Sequence, residues 1–255
     1  MAASRAQAAE LVAAGRVSVA GAPADKAARL VTPGEAVTVA GPAARFVGRG
    51  GEKLDAALSR FGIDVTGRVA LDAGASTGGF TDALLQRGAA RVVAVDVGHG
   101  QLHERLRADP RVDSREGVNV RHATPAALGG PFRVVVADLS FISLRTVAPA
   151  LVALTEGGGD LVVLVKPQFE AGRREVSRGR GVIRDPAAWR DALSGVASAM
   201  TSQGATMMEA MVSPIRGAGG NVEFVLHLRP GGPGSPGGDP GALVEAALAE
   251  ATGAG

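Results

Sequence analysis

Cysteine is absent from the 255 residues, which excludes disulfides, thiolate metal sites and cysteine nucleophiles and agrees with a reducing compartment. Tyrosine is absent too, tryptophan occurs once, and aromatics make up 3% of the chain. The core must therefore be built from Val, Leu and Ala, and contacts to nucleic acid must lean on Arg and Lys more than on stacked rings. No apolar run reaches the roughly 18 residues of a membrane span, and the first residues lack a signal-peptide core, so the chain reads as cytoplasmic with no membrane partner. Net charge is scarce at +2. Residues after Pro230 hold Asp239, Glu245 and Glu250 and neither Lys nor Arg, which leaves +5 on residues 1–229. That mildly basic balance permits a polyanionic partner without requiring one.

What the chain does hold, 46% hydrophobic residues over this length, suffices for one full α/β domain and a small accessory one. Residues 4–14 read as a helix ended by Gly15, and VSVAG (17–21) and EAVTV (35–39) alternate like short strands. Gly41-Pro42 breaks the pattern. The expected organisation is a small domain over 1–44, a linker over 45–51, a main domain over 52–230 and a flexible tail over 231–255. In the main domain the order is helix 52–61, strand 69–74, helix 78–87, strand 91–98, helix 100–107 and strand 132–140. Helix 146–154, strand 160–167, helix 186–203 and strands 206–214 and 221–228 follow. Runs such as VVVAD and LVVLV suit strands covered on both faces. The alternation predicts a doubly wound, Rossmann-like α/β fold. GGPGSPGGDPG (231–241) reads as linker, with an Ala-rich end able to form a loose helix.

LDAGASTGGFTDALL (71–85) sets Gly74, Gly78 and Gly79 between an apolar strand and a helix, where backbone lacking Cβ atoms lets a ligand approach. A dinucleotide fingerprint needs glycine where Ser76 stands, and a P-loop needs the missing Gly-Lys-Ser/Thr, so NAD and ATP are both disfavoured. Asp96 ends the next strand 22 residues after Gly74, where its carboxylate can accept from two ribose hydroxyls. NAD and S-adenosylmethionine share that need. Tight strand-to-helix packing alone would also use such glycines, but the placement inside a βαβ unit favours a ligand. Glu116 and Asn119 either contact the adenine side or shape a loop.

Four charged residues stand in unexpected places: Lys53 in RGGEKLD, Asp138 and Lys166 at strand ends, and Glu223 inside NVEFVLHL. A charge within an apolar strand costs several kcal/mol unless paired. LDAGASTGGFT, ADLSFIS, VKPQFEAG and GNVEF resemble the TlyA (hemolysin A) family of ribosomal RNA 2′-O-methyltransferases, a branch of the FtsJ-like methyltransferases, over essentially all of residues 45–228. The resemblance implies that Lys53, Asp138, Lys166 and Glu223 are catalytic. It also implies that Gly74, Ala75, Ser76, Thr77, Gly78, Gly79, Phe80, Asp96, Asn119 and Asp138 surround S-adenosyl-L-methionine.

The chemistry agrees with this assignment. A ribose hydroxyl is a poor nucleophile at neutral pH and must lose its proton as it attacks a sulfonium methyl. A lysine takes that proton only in its neutral form, which a second ammonium and partial desolvation favour; Lys53 and Lys166 supply such a pair, with Lys166 as the base. Asp138 and Glu223 would hold the ammonium groups and the hydroxyl in line.

Residues 4–39 resemble the S4 RNA-binding domain, with two departures: the first helix usual in that domain is missing upstream of Ser4, and Ala20 stands where Asn is usual before Gly21. The RNA contacts expected are Arg5, Arg16 and Arg49, with Arg173, Arg174, Arg178 and Arg180 in the loop RREVSRGRGVIR (173–184). A solvated loop and a plain helix-hairpin module are the bland alternatives. Phe80, Phe141, Phe169 and Phe224 adjoin motif residues; core packing accounts for most of them, and Phe169 is the one expected to stack on a base. His99 and His103 share a helix face without a third ligand, so no metal is expected. Trp189 reads as packing. The expected function is S-adenosylmethionine-dependent 2′-O-methylation of cytidine in ribosomal RNA, on free rRNA or ribosomal subunits. A non-catalytic RNA-binding assembly factor and a membrane-active hemolysin are the alternatives.

Overall fold

In a computed structural model, residues 5–41, 44–171, 181–231 and 237–253 are described. The chain divides into two compact units, Met1–Val47 and Gly48–Gly255.

The first unit holds helix α1 (Arg5–Ala13) and an antiparallel sheet of β1 (Val17–Val19), β2 (Ala22–Pro23) and β3 (Val37–Val39), in the order β2-β1-β3. Its core is small: Val17, Val19 and Ala24 packed by Leu11 and Val12. Two residues, Ala20 and Gly21, connect β1 to β2 with φ of 50° and 81°. Both central residues of such a turn take left-handed backbone, which suits the twist of a hairpin and favours Asn-Gly. The alanine at position 20 thus sits in a conformation that a Cβ disfavours.

The second unit is built on a seven-stranded sheet, ordered β6-β5-β4-β7-β8-β10-β9. The strands are β4 (Val69–Ala73), β5 (Arg91–Asp96), β6 (Val112–Glu116), β7 (Phe132–Ala137), β8 (Thr155–Val165), β9 (Ala205–Val212) and β10 (Phe224–Pro230). β4 to β8 pair in parallel, and β10 runs antiparallel to both β8 and β9. Between them come α2 (Gly50–Arg60), α3 (Gly79–Gln86), α4 (Glu104–Arg107), α5 (Pro125–Leu128), α6 (Leu144–Leu154), α7 (Pro167–Glu170) and α8 (Pro186–Thr201), and α9 (Pro240–Gly253) ends the fold. Leu71, Val93, Val135 and Val163 join one apolar cluster with α6, α8 and α9. Residues of the other parity, Ala70, Val92, Val134 and Val162, are equally buried, with α2 and α3 supplying the second layer. This is the expected Rossmann-like α/β architecture.

Several local expectations change. β6 (VDSRE) was not expected: as an edge strand it carries Asp113, Arg115 and Glu116, a polar pattern without an apolar run. Of the helix expected over 100–107, only Glu104–Arg107 forms. The strand expected over 221–228 begins at Phe224, so Glu223 precedes it instead of lying inside it. The linker expected over 45–51 already contains the start of α2 at Gly50. In the tail expected to be flexible, residues 240–253 form α9, which buries Val244, Ala247 and Leu248 in the cluster shared with α8 and β9. Fully burying one Val or Leu is worth about 1.5–3 kcal/mol, which explains why the segment docks. Ion pairs Arg60–Glu250 (2.6 Å) and Arg190–Glu245 (2.5 Å) fasten it at the surface.

Buried Asp160 on β8 accepts from His227 Nε2 and Arg229 Nε on β10, each at 2.8 Å, and Phe61 stacks on His227. Burial alone pushes the Asp160 carboxyl up, but the two hydrogen bonds and the Arg229 charge outweigh it and hold it below the usual range.

Two outcomes are expected. Ala20→Asn should stabilise the first unit by about 1 kcal/mol, since left-handed backbone costs an alanine roughly 1–2 kcal/mol and asparagine less; amide hydrogen exchange at Val17–Val19 measures it. Asp160→Asn should lower stability by about 1.5–3 kcal/mol at neutral pH. A carboxyl held low in the folded state stabilises above its unfolded value and loses that contribution as pH falls, so denaturant titrations of wild type and variant should converge in acid.

Candidate active site

The carboxyl ends of β4, β5 and β7 share one edge of the sheet, and strand order reverses between β4 and β7, which is where doubly wound sheets open a ligand crevice. Two adjoining hollows lie there. The larger, about 540 Å³, is lined by Asp96, Val97, Gln101, Asn119, Val120 and Phe141 among others. The smaller, about 160 Å³, is lined by Gly50, Ala75, Thr77, Gly79, Phe80 and Lys166. Gly74, Ser76, Asp138 and Ser140 border both. The larger volume falls in the roughly 300–1,000 Å³ range of small-ligand pockets.

The loop after β4 is shaped by close backbone approach. At Gly74, with φ of 86°, a Cβ would fall 2.6 Å from the Asp138 carbonyl oxygen, so any side chain would push the ends of β4 and β7 apart. Ser76 takes φ of 47°, and its N–H donates to Asp96 Oδ2 at 2.8 Å, while the Gly98 N–H donates to Asp96 Oδ1 at 2.7 Å. A carboxylate offers about four lone-pair sites, so Asp96 can still accept from a ligand in the larger hollow.

Gly74, Ala75, Ser76, Thr77, Gly79, Phe80, Asp96, Asn119 and Asp138 all line a hollow, and Gly78 does not. Gly78 instead starts α3 in left-handed backbone at φ of 97°, and a Cβ there would meet Leu106 at 2.2 Å and Leu102 at 2.8 Å. Asn119 also accepts from the Arg121 N–H at 3.0 Å. Glu116 accepts from the Gly100 N–H at 2.8 Å and lines neither of these two hollows.

Four charged residues converge beside the smaller hollow. Asp138 and Lys166 directly follow the adjacent parallel strands β7 and β8. Phe224 on β10 pairs with Val165, and one further step along that antiparallel ladder sets Glu223 opposite Lys166. A Cβ on Gly50, in the first turn of α2, would lie 3.6 Å from Asp138 Oδ2, and Lys53 follows one turn later. The Lys53 ammonium donates to Glu223 Oε2, with both residues buried. A Cβ at Gly217 would strike Glu223 Oε1 at 1.9 Å, so glycine there gives the carboxylate its space. Lys166 Nζ lies 2.6 Å from Asp138 Oδ1, an ion pair outside hydrogen-bond alignment, and donates to Ser140 Oγ at 2.9 Å. The expectation of two ammonium groups acting on each other is thereby modified, because each lysine meets a carboxylate of its own.

Three residues of this region were not singled out from the sequence. Asp72, fully buried in β4, is pushed up to about 7, first by burial and then by the nearby Asp138 and Asp96 charges, against the hydrogen bond from Thr81. Its charge within the apolar run VALDA was the available signal. Ser140 borders both hollows, and the serine of ADLSFIS left no trace in periodicity. Glu170 on α7 accepts from Ser143 Oγ, the Leu144 N–H (2.7 Å) and Arg145 Nε (3.2 Å), tying the segment after Lys166 to the one after Asp138.

Phe141 is 93% exposed at φ of 64° and tilts against Phe169, whose ring lies 5.8 Å from Lys166 Nζ. Phe80 and Phe224 are buried, and Trp189 packs on Phe224 and donates to the Ile183 carbonyl. His103 caps α4. Arg5 opens α1. Arg16 Nε donates to the Ala40 carbonyl at 2.7 Å, which ties the ends of β1 and β3, and Arg49 precedes α2. Arg173, Arg174, Arg178 and Arg180 lie outside the described residues.

Residues 46–230 match the FtsJ-like methyltransferase family and residues 1–37 the S4 domain. A Mycobacterium tuberculosis protein named 16S/23S rRNA (cytidine-2′-O)-methyltransferase TlyA is 51% identical over 230 residues, 90% of this chain and 85% of that protein. Hemolysin A of Brachyspira hyodysenteriae is 43% identical over 72% of this chain and 77% of its own length. A solved structure of a candidate hemolysin from Streptococcus thermophilus superposes with a TM-score of 0.82 at 40% identity, covering 98% of this chain and 90% of that one. Fold, family matches and relatives agree: the chain belongs to the TlyA branch of the FtsJ-like methyltransferases and carries an S4 domain ahead of the catalytic fold.

Proposed function

We propose that the protein transfers a methyl group from S-adenosyl-L-methionine to the 2′-hydroxyl of cytidine in ribosomal RNA, working in the cytoplasm. The observation that carries this reading is the junction of two lysine–carboxylate pairs, Lys166–Asp138 and Lys53–Glu223, beside a glycine-walled hollow. Cytidine and ribosomal RNA come from the name of the Mycobacterium tuberculosis relative.

The residues present suit the donor. Asp96 lines the larger hollow with acceptor capacity left for hydroxyls, Gly74 and Gly79 keep side chains out of the path of a ligand, and Asn119, Val97 and Val120 line the same larger hollow. The sulfonium of the bound donor supplies an electrophilic methyl.

Everything else is the work of this chain. Lys166 enters the step as the neutral amine, takes the hydroxyl proton and becomes an ammonium against the Asp138 carboxylate, while Asp138 and Ser140 fix its direction. Lys53 and Glu223, enclosed by Gly217, keep the neighbouring wall in place. General base action is typically worth 10²–10⁴-fold, whereas positioning can contribute roughly 7–11 kcal/mol, so the fixed geometry of the quartet carries the larger share. RNA is held by Arg16, Arg49 and the arginine-rich stretch of sequence 173–184 together with the S4 domain, through phosphate contacts that set register. The hemolysin name of some relatives has no counterpart in a membrane span: among the described residues no helix is long and apolar enough to cross a membrane.

Lys166→Ala should abolish tritiated methyl transfer to ribosomal subunits while S-adenosylhomocysteine binding stays within about twofold; full activity in that variant would remove the base assignment, and no transfer by the wild-type protein would remove the function. The buried pair gives a second outcome. Lys53→Met alone should cost about 3–5 kcal/mol, because it strands the Glu223 carboxylate, while the double variant Lys53→Met with Glu223→Gln should recover much of that loss and remain inactive. Chemical denaturation and the methyl-transfer assay separate the two effects.

A further inference from the structure

On the rim of the larger hollow, between β5 and α4, stands Gln101, a residue that neither the glycine turn nor the charged quartet accounts for. It lines this hollow together with Asp96. Its Oε1 accepts from Ser76 Oγ at 3.2 Å, which turns the amide so that Nε2 is the outward end. A Cβ on Gly98 would fall 1.8 Å from that Nε2 and 3.2 Å from Asp96 Oδ1, so the amide nitrogen lies against the Gly98 backbone on the side of the Asp96 carboxylate.

Two groups of opposite hydrogen-bonding sense are thus side by side. A carboxylate only accepts, and an amide NH₂ only donates. Asp96 has spent part of its capacity on the Ser76 and Gly98 N–H groups, and Gln101 Nε2 donates to no acceptor among the described residues. The ligand chemistry that satisfies both is a vicinal diol, whose hydroxyls donate to the carboxylate and whose oxygen accepts from the amide. A phosphate there would accept from Gln101 and be repelled by Asp96.

Ser76 supports the same conclusion from the backbone. Its φ of 47° is sparsely populated for a residue with a side chain, and such conformations persist only where their surroundings hold them. Here the Ser76 N–H is held by Asp96 and its hydroxyl by Gln101. Glycine would fit the backbone more easily but would leave the amide unoriented.

We propose that Gln101, oriented by Ser76, is a ribose-holding residue that grips the diol of the adenosyl donor together with Asp96; this rests on the reading of the crevice as an S-adenosylmethionine site. Gln101 is exposed, so its replacement leaves the core intact.

Calorimetric titration of S-adenosylhomocysteine, with its 2′-deoxy and 3′-deoxy analogues, into wild type, Gln101→Ala and Gln101→Glu tests the assignment. Gln101→Ala should weaken S-adenosylhomocysteine binding by roughly 2- to 12-fold, the range for one neutral hydrogen bond, and should cause no loss with at least one deoxy analogue. Gln101→Glu, which removes the donor and sets a second carboxylate beside Asp96, should bind more weakly than Gln101→Ala. Equal affinity in wild type and Gln101→Ala overturns the proposal, as does an equal loss on the ribosyl ligand and both deoxy ligands, which would place the effect in the loop and not at the diol. Failure of the wild type to bind S-adenosylhomocysteine at all would overturn the cofactor reading along with it.

Discussion

Because β10 runs against β8, its first residue lies where β7 and β8 finish, and Glu223 is delivered next to Asp138 and Lys166 from far along the chain. A parallel strand in that position would have carried its start to the opposite edge of the sheet. The reversal also determines which partner is available to Lys53. An ammonium sealed under the first turns of α2 is tolerable only with a counter-charge, and the antiparallel ladder provides it. Strand direction, a property of the backbone, thereby sets the electrostatics of the site.

Strain and close approach gather at the same edge. Ser76 and Phe141, two non-glycine residues with left-handed backbone, flank the larger hollow, and Gly74 and Gly50 bring β4 and α2 within touching distance of Asp138. Glu170 gathers the segments after β7 and β8 into one block. The elements behind them, with Val135, Val163 and Phe224 fully buried, are the rigid base against which these conformations are kept.

Much of this was legible in the residues themselves. Continuous apolar runs marked β7 and β8 because both faces of those strands are covered, and the glycine turn between β4 and α3 marked the crevice. Charges at strand ends marked Asp138 and Lys166, and a charge inside an apolar run marked Glu223, because so placed they need a partner or a task. β6 was missed because an edge strand with one covered face needs no apolar run. The partnering of Lys53 with Glu223 instead of with Lys166 depends on strand direction and register, which periodicity does not report. Gln101 and Ser140 matter through neighbours distant in sequence, so no local pattern reveals them. The α9 segment was legible only as a loose helix after a glycine- and proline-rich approach, and its docking was not, because its apolar face is narrow and rich in alanine.

That last helix lies outside residues 46–230, which match the FtsJ-like methyltransferase family. It is nonetheless anchored, through Glu250 and Arg60, to the last turn of α2, whose second turn presents Lys53. The terminal segment is therefore a brace rather than an appendage. A change in this terminal segment can alter how firmly that lysine is seated, with no change in any residue around it.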